Sequence, residues 1–477
     1  MTFWASAAGG TRPLIRVDAR VPAAVTAALG RALSGEGPAV LPTAGAVADS
    51  RSGGVDERLG SVPSDVVLVI ETSGSTAQPK RVMLTAGALR ASGAATYARF
   101  DELFGDGQGR EPSRQWLLTL PASYVAGAQV LMRSILAGTE PVVLDDEHFS
   151  AEGFARAASA LTAERRYVSL VPAQLARLLD AAEAETAEAE RAEAQTSGAV
   201  TAELGAVGGS VARAVARFDA ILVGGQSLPS ALRSRAKTLG WNLATSYGSS
   251  ETSGGSVYNG EPLDGVRVRI RDGEVQLAGP VLAAGYLGDQ GRTAESFLEE
   301  RGERWYRTSD AGRLERDEVT GRERLVVTGR LDNVIVSGGE KVLLDRVEGI
   351  VRQLPGLEGA VVVAAPSEEW GQVPALVVEA SAWNPSTRQP AAPAARSSPN
   401  DPNDPTEQSA HDDESSAAVV DARELTADAR WSEVRAATAV AGRAARPAVL
   451  VLVPRIPHLA SGKPDRRALE RLVRTLA

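Results

Sequence analysis

Short continuous apolar runs punctuate the chain and alternate with longer stretches whose apolar residues recur at helical spacing. The sharpest run, Val66–Ile70, reads as a buried strand that ends in a Thr/Ser/Gly loop. Similar runs at Trp116–Leu120, Glu140–Leu144, Tyr167–Val171 and Ala220–Val223 are separated by helical patterns at Ala86–Phe100, Ala126–Leu136, Ala151–Ala163 and Ala173–Leu179. Strands alternating with helices predict an α/β domain on a largely parallel sheet. Upstream, Met1 to Pro63 reads as Ala-rich helical stretches broken by Gly and Pro.

The pattern changes downstream. From Gly265 to Leu287 shorter strands with Gly turns predict a β-rich subdomain, continued by the strand pieces within Ser309–Thr328. A small α+β unit follows, with helices expected at Val342–Gln353 and Asp428–Ala439 and strands at Val361–Ala365, Ala375–Ala380 and Ala448–Val453. Residues 381–416, dominated by Pro, Ser, Asn and Asp, read as a disordered insertion because they offer too little apolar surface to offset ordering entropy. The Ala/Glu-rich stretch Ala181–Thr196 reads as a projecting helix or flexible loop.

Composition narrows the function classes. A chain of 477 residues exceeds what one hydrophobic core usually serves, so several domains are expected. A net charge of −9 leaves no overall electrostatic footprint for nucleic acid, and anionic metabolites must be gripped by local donors. The chain has no Cys, which excludes disulfides, thiolate metal sites and a Cys nucleophile. With 3 His, a His-based zinc site is disfavoured. The first residues lack a charged n-region followed by an apolar core, and no run approaches the roughly 18 apolar residues of a membrane helix, so the expected location is the cytoplasm.

Five segments carry candidate chemistry. The first, Thr72-Ser73-Gly74-Ser75-Thr76-Ala77-Gln78-Pro79-Lys80, lets backbone N–H groups, hydroxyls and one cation converge on a phosphate, though it is not a Walker A loop and equally suits a polar turn. The second, Thr245-Ser246-Tyr247-Gly248-Ser249-Ser250-Glu251-Thr252, joins an aromatic for base stacking to a carboxylate for a hard cation; the bland reading of Glu251 is a solvated loop residue. The third, Tyr306–Asp310, offers a carboxylate able to accept both hydroxyls of a ribose, or simply a turn cap. The fourth runs from Gly329 to Lys341 (GRLDNVIVSGGEK). The fifth, Pro457–Arg466 (PHLASGKPDR), is otherwise a basic C-terminal turn.

In order and content these five segments resemble those of the adenylate-forming superfamily: acyl-CoA synthetases, carrier-protein-loading adenylation domains and beetle luciferases. The resemblance spans about Ser64 to Leu469, outside residues 381–416. It implies a large N-terminal domain, 1–329, of α/β subdomains plus a β-rich subdomain. A hinge at 330–332 and a small mobile C-terminal α+β domain, 333–477, would follow. It further implies that Thr72, Ser73, Gly74, Ser75, Thr76 and Lys80 hold the ATP phosphates, and that Gly224, Gly225 and Gln226 pass close to adenine while Tyr247 stacks on it beside Gly248. Glu251 would coordinate Mg²⁺, Thr252 would sit near the α-phosphate, and Asp310 with Arg330 would hold the ribose. Asp332 would be the hinge, Gly338, Gly339 and Lys341 would reach the thiol site, and Lys463 would contact the reacting carboxylate and α-phosphate. Ala77 and Arg81 depart from the pattern, where the family usually has Gly.

The early position of the phosphate loop makes the chain similar to the compact o-succinylbenzoate–CoA ligases of menaquinone biosynthesis, and so does the segment Leu120–Ser134. Ser123 replaces the His often found in that group. A dicarboxylate acid needs donors for its non-reacting carboxylate. Ser123, Tyr124 and Arg133 are the candidates, and for Arg133 a surface ion pair is the preferred bland reading. The implied substrates are the carboxylic acid, ATP with Mg²⁺, and CoA; no nucleic acid or membrane insertion is expected, and a homodimer is left open. Other aryl- or acyl-CoA ligases, a carrier-loading enzyme and a non-catalytic nucleotide-binding relative remain the alternatives.

Overall fold

Five consecutive β-branched or Leu residues leave no polar face, so Val66–Ile70 can only be a strand covered on both sides. In the computed structural model these residues are at most 1% exposed, within strand Val66–Thr72. The structure describes residues 10–44, 59–72, 79–105, 112–145, 149–195, 210–318, 321–383, 418–421, 428–459 and 462–476. The chain divides into two units. The first comprises 1–228, 232–308 and 312–327; the second comprises 229–231, 309–311 and 328–477.

Three sheets build the first unit. In one, Val66–Thr72 lies between the parallel strand Ala39–Thr43 and the antiparallel strand Lys80–Thr85. Thr11–Asp18 continues this sheet beyond Ala39–Thr43 in parallel register. The region before Pro63 was expected to be helical. Its Ala-rich part is helix Pro22–Leu33, but Thr11–Asp18 and Ala39–Thr43 are strands, because their Leu, Ile and Val side chains have a neighbouring sheet edge to pair with. The second sheet is the expected largely parallel one: Val142–Val143, Arg114–Leu118, Arg165–Leu170, Ala220–Val223 and Leu243–Ser249 run parallel, and Gly254–Tyr258 and then Glu261–Pro262 continue it antiparallel.

Helices Ala86–Phe104, Val125–Ala137 and Ala151–Ser159 connect these strands. Thr85 and Ser150 cap two of them by accepting from the N–H of Ala88 (3.1 Å) and Gly153 (3.0 Å). Gly138, at φ +67°, ends the third in the left-handed turn that favours glycine. Residues Pro172–Gln195 form one helix, so the Ala/Glu-rich stretch is helical to Gln195. The third sheet is the β-rich subdomain: Arg267–Arg271, Glu274–Ala278, Glu303–Arg316 and Phe297–Glu300.

The second unit is a sheet covered on both faces. Gly371–Glu379 is its centre, with Val361–Ser367 antiparallel and Val449–Val453 parallel to it. Alternation sorts the side chains: Val362, Leu376 and Val378 pack under helices Leu344–Val351 and Ala429–Thr438. Val361, Val363 and Val377 pack under helix Arg466–Leu476 through Leu469 and Val473. The expected helix from Val342 begins at Leu344, because Glu340–Leu343 is drawn into a hairpin with Val334–Ser337. The insertion expected from Ser381 starts too early: Ala380–Trp383 is a helical turn whose Trp383 is buried against Trp431, ring centres 6.3 Å apart. Residues 384–416 lie outside the described residues.

Candidate active site

The phosphate-loop candidate joins two antiparallel strands of the first unit, with Thr72 opposite Lys80 and Glu71 opposite Arg81. Thr72 and Lys80 mark the ends of the loop; Ser73, Gly74, Ser75, Thr76 and Ala77 lie outside the described residues. Arg81, the departure from the usual Gly, is matched by Glu71 directly across the ladder at 2.8 Å.

Glu251 is not a solvated loop residue. It sits on the single turn Ser250–Thr252 after strand Leu243–Ser249 and is 7% exposed. Thr252 locks that turn: its hydroxyl accepts from the Ser249 N–H at 2.9 Å and donates to the Gly254 carbonyl at 2.7 Å. Thr252 thereby fixes the turn that carries Glu251. The Glu251 carbonyl accepts from the Ala283 N–H at 2.8 Å, fastening the turn to the segment that leads into Tyr286.

Tyr286 is the residue the motifs did not reveal. It pairs with Val82 beside the phosphate hairpin, donates its hydroxyl to Glu251 Oε1 at 2.9 Å, and lies under Lys80, whose Nζ is 5.6 Å from the ring centre. Burial, aided by the Glu251 charge, pushes the phenol well above its ordinary pKa, so it stays a donor. The signal available in the sequence is Ala284-Gly285-Tyr286, an aromatic directly after two small residues near the end of the β-rich stretch. Among the described residues no group of three or more His, Cys, Asp or Glu could hold a metal on its own. Glu251 alone fits Mg²⁺ in the way that ion is ordinarily held, by one or two carboxylates plus substrate phosphates.

The adenine candidates follow strand Ala220–Val223. Gly224 is fixed by donating to the Leu170 carbonyl at 3.1 Å, and a Cβ there would stand 3.3 Å from that of Ser246. Gly225 has φ +83° and is exposed, with Gln226 half-buried beside it. Tyr247 is half-buried on Leu243–Ser249, where the pairing with Gly254–Tyr258 shifts register next to Gly248. A Cβ on Gly248 would lie 2.1 Å from the Gly254 carbonyl oxygen, so Gly is required here by strand packing.

Of the acid-pocket candidates, Ser123 and Tyr124 are half-buried at the start of helix Val125–Ala137, and burial raises the Tyr124 phenol. The surface ion pair expected for Arg133 is wrong. Arg133 is 2% exposed, stands 5.0 Å above the Trp116 ring and donates to the Tyr258 hydroxyl at 3.3 Å; among the described residues no carboxylate pairs with it. The helix turns this position inward onto a cluster of Tyr97, Phe100, Trp116 and Tyr258. Among the described residues, three buried polar atoms nearby have no hydrogen-bond partner: Arg133 Nε, Gln129 Oε1 one helical turn earlier, and Ser256 Oγ on the same strand face as Tyr258.

In the second unit, Asp310 accepts from Arg330 Nη1 at 3.3 Å, while Arg330 grips Asp332 with two bonds of 2.7 Å. Ser309, just before Asp310, holds φ +59°, a left-handed conformation costing a non-Gly residue about 1 kcal/mol. Gly338 and Gly339, at φ +56° and +86°, form the two-residue turn between Val334–Ser337 and Glu340–Leu343, with Lys341 exposed opposite Val336. Lys463 lies in a closed turn, its carbonyl accepting from the Leu459 N–H at 2.8 Å.

A family profile described as "AMP-binding enzyme" matches residues 24–287. The chain is 37% identical over 358 residues to a protein of Mycobacterium tuberculosis named "Probable 2-succinylbenzoate--CoA ligase", covering 74% of this chain and 80% of that protein. It is 30% identical over 325 residues to the 2-succinylbenzoate–CoA ligase of Salmonella typhimurium, covering 66% of this chain and 59% of that one. The fold is similar to that of o-succinylbenzoate CoA synthetase from Bacillus subtilis, solved with the acyl-adenylate intermediate: TM-score 0.57, 22% identity, 87% of this chain and 71% of the other.

Proposed function

The chain belongs to the AMP-binding enzyme family, and on that premise we propose that it is a 2-succinylbenzoate–CoA ligase of menaquinone biosynthesis. It is an AMP-forming acid–thiol ligase. In the first half-reaction a substrate carboxylate oxygen attacks the α-phosphorus of ATP and pyrophosphate leaves. In the second, the CoA thiol attacks the carbonyl of the mixed anhydride and AMP leaves. The observation that carries this chemistry is the buried Glu251, oriented by Thr252 and Tyr286 and joined through the Tyr286 ring to Lys80 at the end of the phosphate hairpin.

The chain's own residues divide the work. Lys80 and the loop it closes neutralise the leaving phosphates. Glu251 would hold Mg²⁺, which when bound offsets the repulsion between two anionic substrates. Tyr247 and Gly224–Gln226 would seat the base, and Asp310 with Arg330 the ribose. Lys463 would stabilise charge on the reacting carboxylate and α-phosphate. For thioester formation the second unit would turn about Asp332, in the hinge 330–332, and present Gly338, Gly339 and Lys341 to the thiol. The unpartnered donors of Arg133 and Ser256 support a polar guest beside them, and the second carboxylate of the acid supplies one. Ser123 and Tyr124, half-buried at the start of the helix that carries Arg133, would supply further donors to the acid. No helix among the described residues is long and apolar enough to cross a membrane, which is compatible with work in the cytoplasm, as a monomer or a homodimer.

The test incubates purified protein with ATP, Mg²⁺, CoA and a panel of o-succinylbenzoate, benzoate, coumarate, octanoate and amino acids. AMP and acyl-CoA are followed by mass spectrometry. Selective formation of o-succinylbenzoyl-CoA is expected. Turnover of another acid would move the pathway, and AMP without a thioester would point to a carrier protein. In parallel, Lys463→Ala is expected to impair adenylation far more than thioester formation from preformed adenylate.

A further inference from the structure

We infer that Arg466 and Asp345 form a strut tying the Lys463 turn to the hinge segment, which makes Arg466 a positioning residue for Lys463. The inference rests on the adenylation role just given to Lys463, and every group in it lies in the second unit.

Arg466 opens helix Arg466–Leu476, three residues after Lys463. Its guanidinium is held on three sides: Nη2 stands 3.2 Å from Asp345 Oδ1 and 2.7 Å from Glu348 Oε2, and Nη1 donates to the Val362 carbonyl at 2.9 Å. Asp345 is itself committed to the residues that bracket Asp332. Its Oδ2 accepts the backbone N–H of Arg330 at 3.0 Å, and its Oδ1 accepts the side-chain amide of Asn333 at 2.8 Å. Glu348, 4% exposed, adds Arg352 at 3.0 Å and the Val362 N–H at 2.9 Å. The strut is therefore anchored in the interior, where charge pairs are screened less than on the surface.

The Lys463 turn is closed onto Arg466 from its other side. Gly462 donates to the Leu459 carbonyl and Asp465 to the Pro457 carbonyl, both at 2.8 Å, and His458 bridges Pro464. A lysine acts through a long flexible stem, so the accuracy of its head depends on how firmly its backbone is held. Misplacing a catalytic group by about 1 Å can cost on the order of 10²-fold in rate. A purely structural ion cluster would weaken both half-reactions alike; a strut for Lys463 weakens the one that uses Lys463.

Arg466→Gln, Asp345→Asn and the double variant separate these cases, with Lys463→Ala as the reference. Acid-dependent ATP–pyrophosphate exchange reports adenylation, and mixing with preformed acyl-adenylate and CoA reports thioester formation. Arg466→Gln is expected to lower exchange by roughly tenfold or more and to leave thioester formation within about twofold. Asp345→Asn, which also loosens Arg330 and Asn333 beside the hinge, is expected to lower both half-reactions but exchange clearly more, with the double variant no worse in exchange than the weaker single. Arg466→Lys, which keeps the charge, recovers part of the exchange rate. Equal loss in both half-reactions, additive losses, or unchanged exchange would overturn the strut. If Arg466→Gln does not fold, Asp345→Asn decides alone. Should Lys463→Ala fail to separate the half-reactions, the role of Lys463 falls instead.

Discussion

Tyr286 donates to Glu251 across 2.9 Å while its ring carries Lys80 on its face, so one buried phenol joins the carboxylate and the cation expected to flank the ATP phosphates. The two charges are thereby held at a fixed separation without neutralising one another. Because Tyr286 is 4% exposed and pinned by strand pairing with Val82, it orients Glu251 before any substrate arrives.

Tyr286→Phe keeps the ring under Lys80 and removes only the hydrogen bond. A hydrogen bond to a charged group contributes about 1.5–3 kcal/mol, so the affinity for Mg·ATP should fall by roughly 10- to 100-fold. Calorimetric titration of ATP at several Mg²⁺ concentrations measures it. An unchanged Mg²⁺ dependence would reduce Tyr286 to a packing residue.

The same burial has a consequence for alkaline stability. Tyr97, Tyr167 and Tyr286 all have phenols raised above the ordinary value of 10, in each case chiefly because burial disfavours the phenolate. The folded form thus keeps protons that the unfolded chain releases. The stability this carries is complete below the ordinary phenol value and is lost as pH rises past it. The melting temperature should be insensitive to these groups between roughly pH 7 and 10 and fall progressively above, with the share of phenolate absorbance that belongs to these three residues appearing only on unfolding.

What was legible in the sequence depended on whether a residue's partners were local. Val66–Ile70 declared itself because an unbroken apolar run admits one solution, and helices such as Ala86–Phe104 did so through their spacing and the Thr85 cap. Thr11–Asp18 was missed because its partner, Ala39–Thr43, lies beyond a helix, and a strand broken by Pro and Arg has no local signature. Lys80–Thr85 was hidden as the tail of a loop motif. Tyr286 and Asp345 escaped because their roles exist only through contacts with Glu251, Arg330, Asn333 and Arg466. Glycine was readable in kind but not in cause: Gly248 was expected beside the stacked base, and what its missing Cβ makes room for is the Gly254 carbonyl.

Gly338 offers a cleaner case. At φ +56° a Cβ would stand 2.3 Å from the Trp370 ring, so Gly338→Ala meets both backbone strain and a rigid aromatic. The turn must shift, at a cost of about 1–3 kcal/mol for the backbone alone. Thioester formation from preformed adenylate should fall by an order of magnitude or more, while pyrophosphate exchange stays near that of the parent chain. Loss of exchange instead would remove this turn from the thiol side.

Arg133 gives the sharpest test of the acid. A guanidinium buried with no carboxylate partner among the described residues is costly, and stacking on Trp116 with one long bond to Tyr258 offsets only part of that cost. If the residue served packing alone, Arg133→Met, similar in reach and uncharged, would leave the chain as stable or more so and change no kinetic constant. Because its Nε and the Ser256 hydroxyl stand unpartnered, the expectation is different: a carboxylate completes the set when the acid binds. Arg133→Met should therefore raise the melting temperature of the free protein while raising KM for o-succinylbenzoate by roughly 10²-fold, the scale of a charge-assisted pair lost in a buried site. A monocarboxylate analogue that keeps the reacting acid group and lacks the second carboxylate should be bound equally by both proteins. Equal KM values for the dicarboxylate would return Arg133 to the core and leave recognition of the second carboxylate to Ser123 and Tyr124.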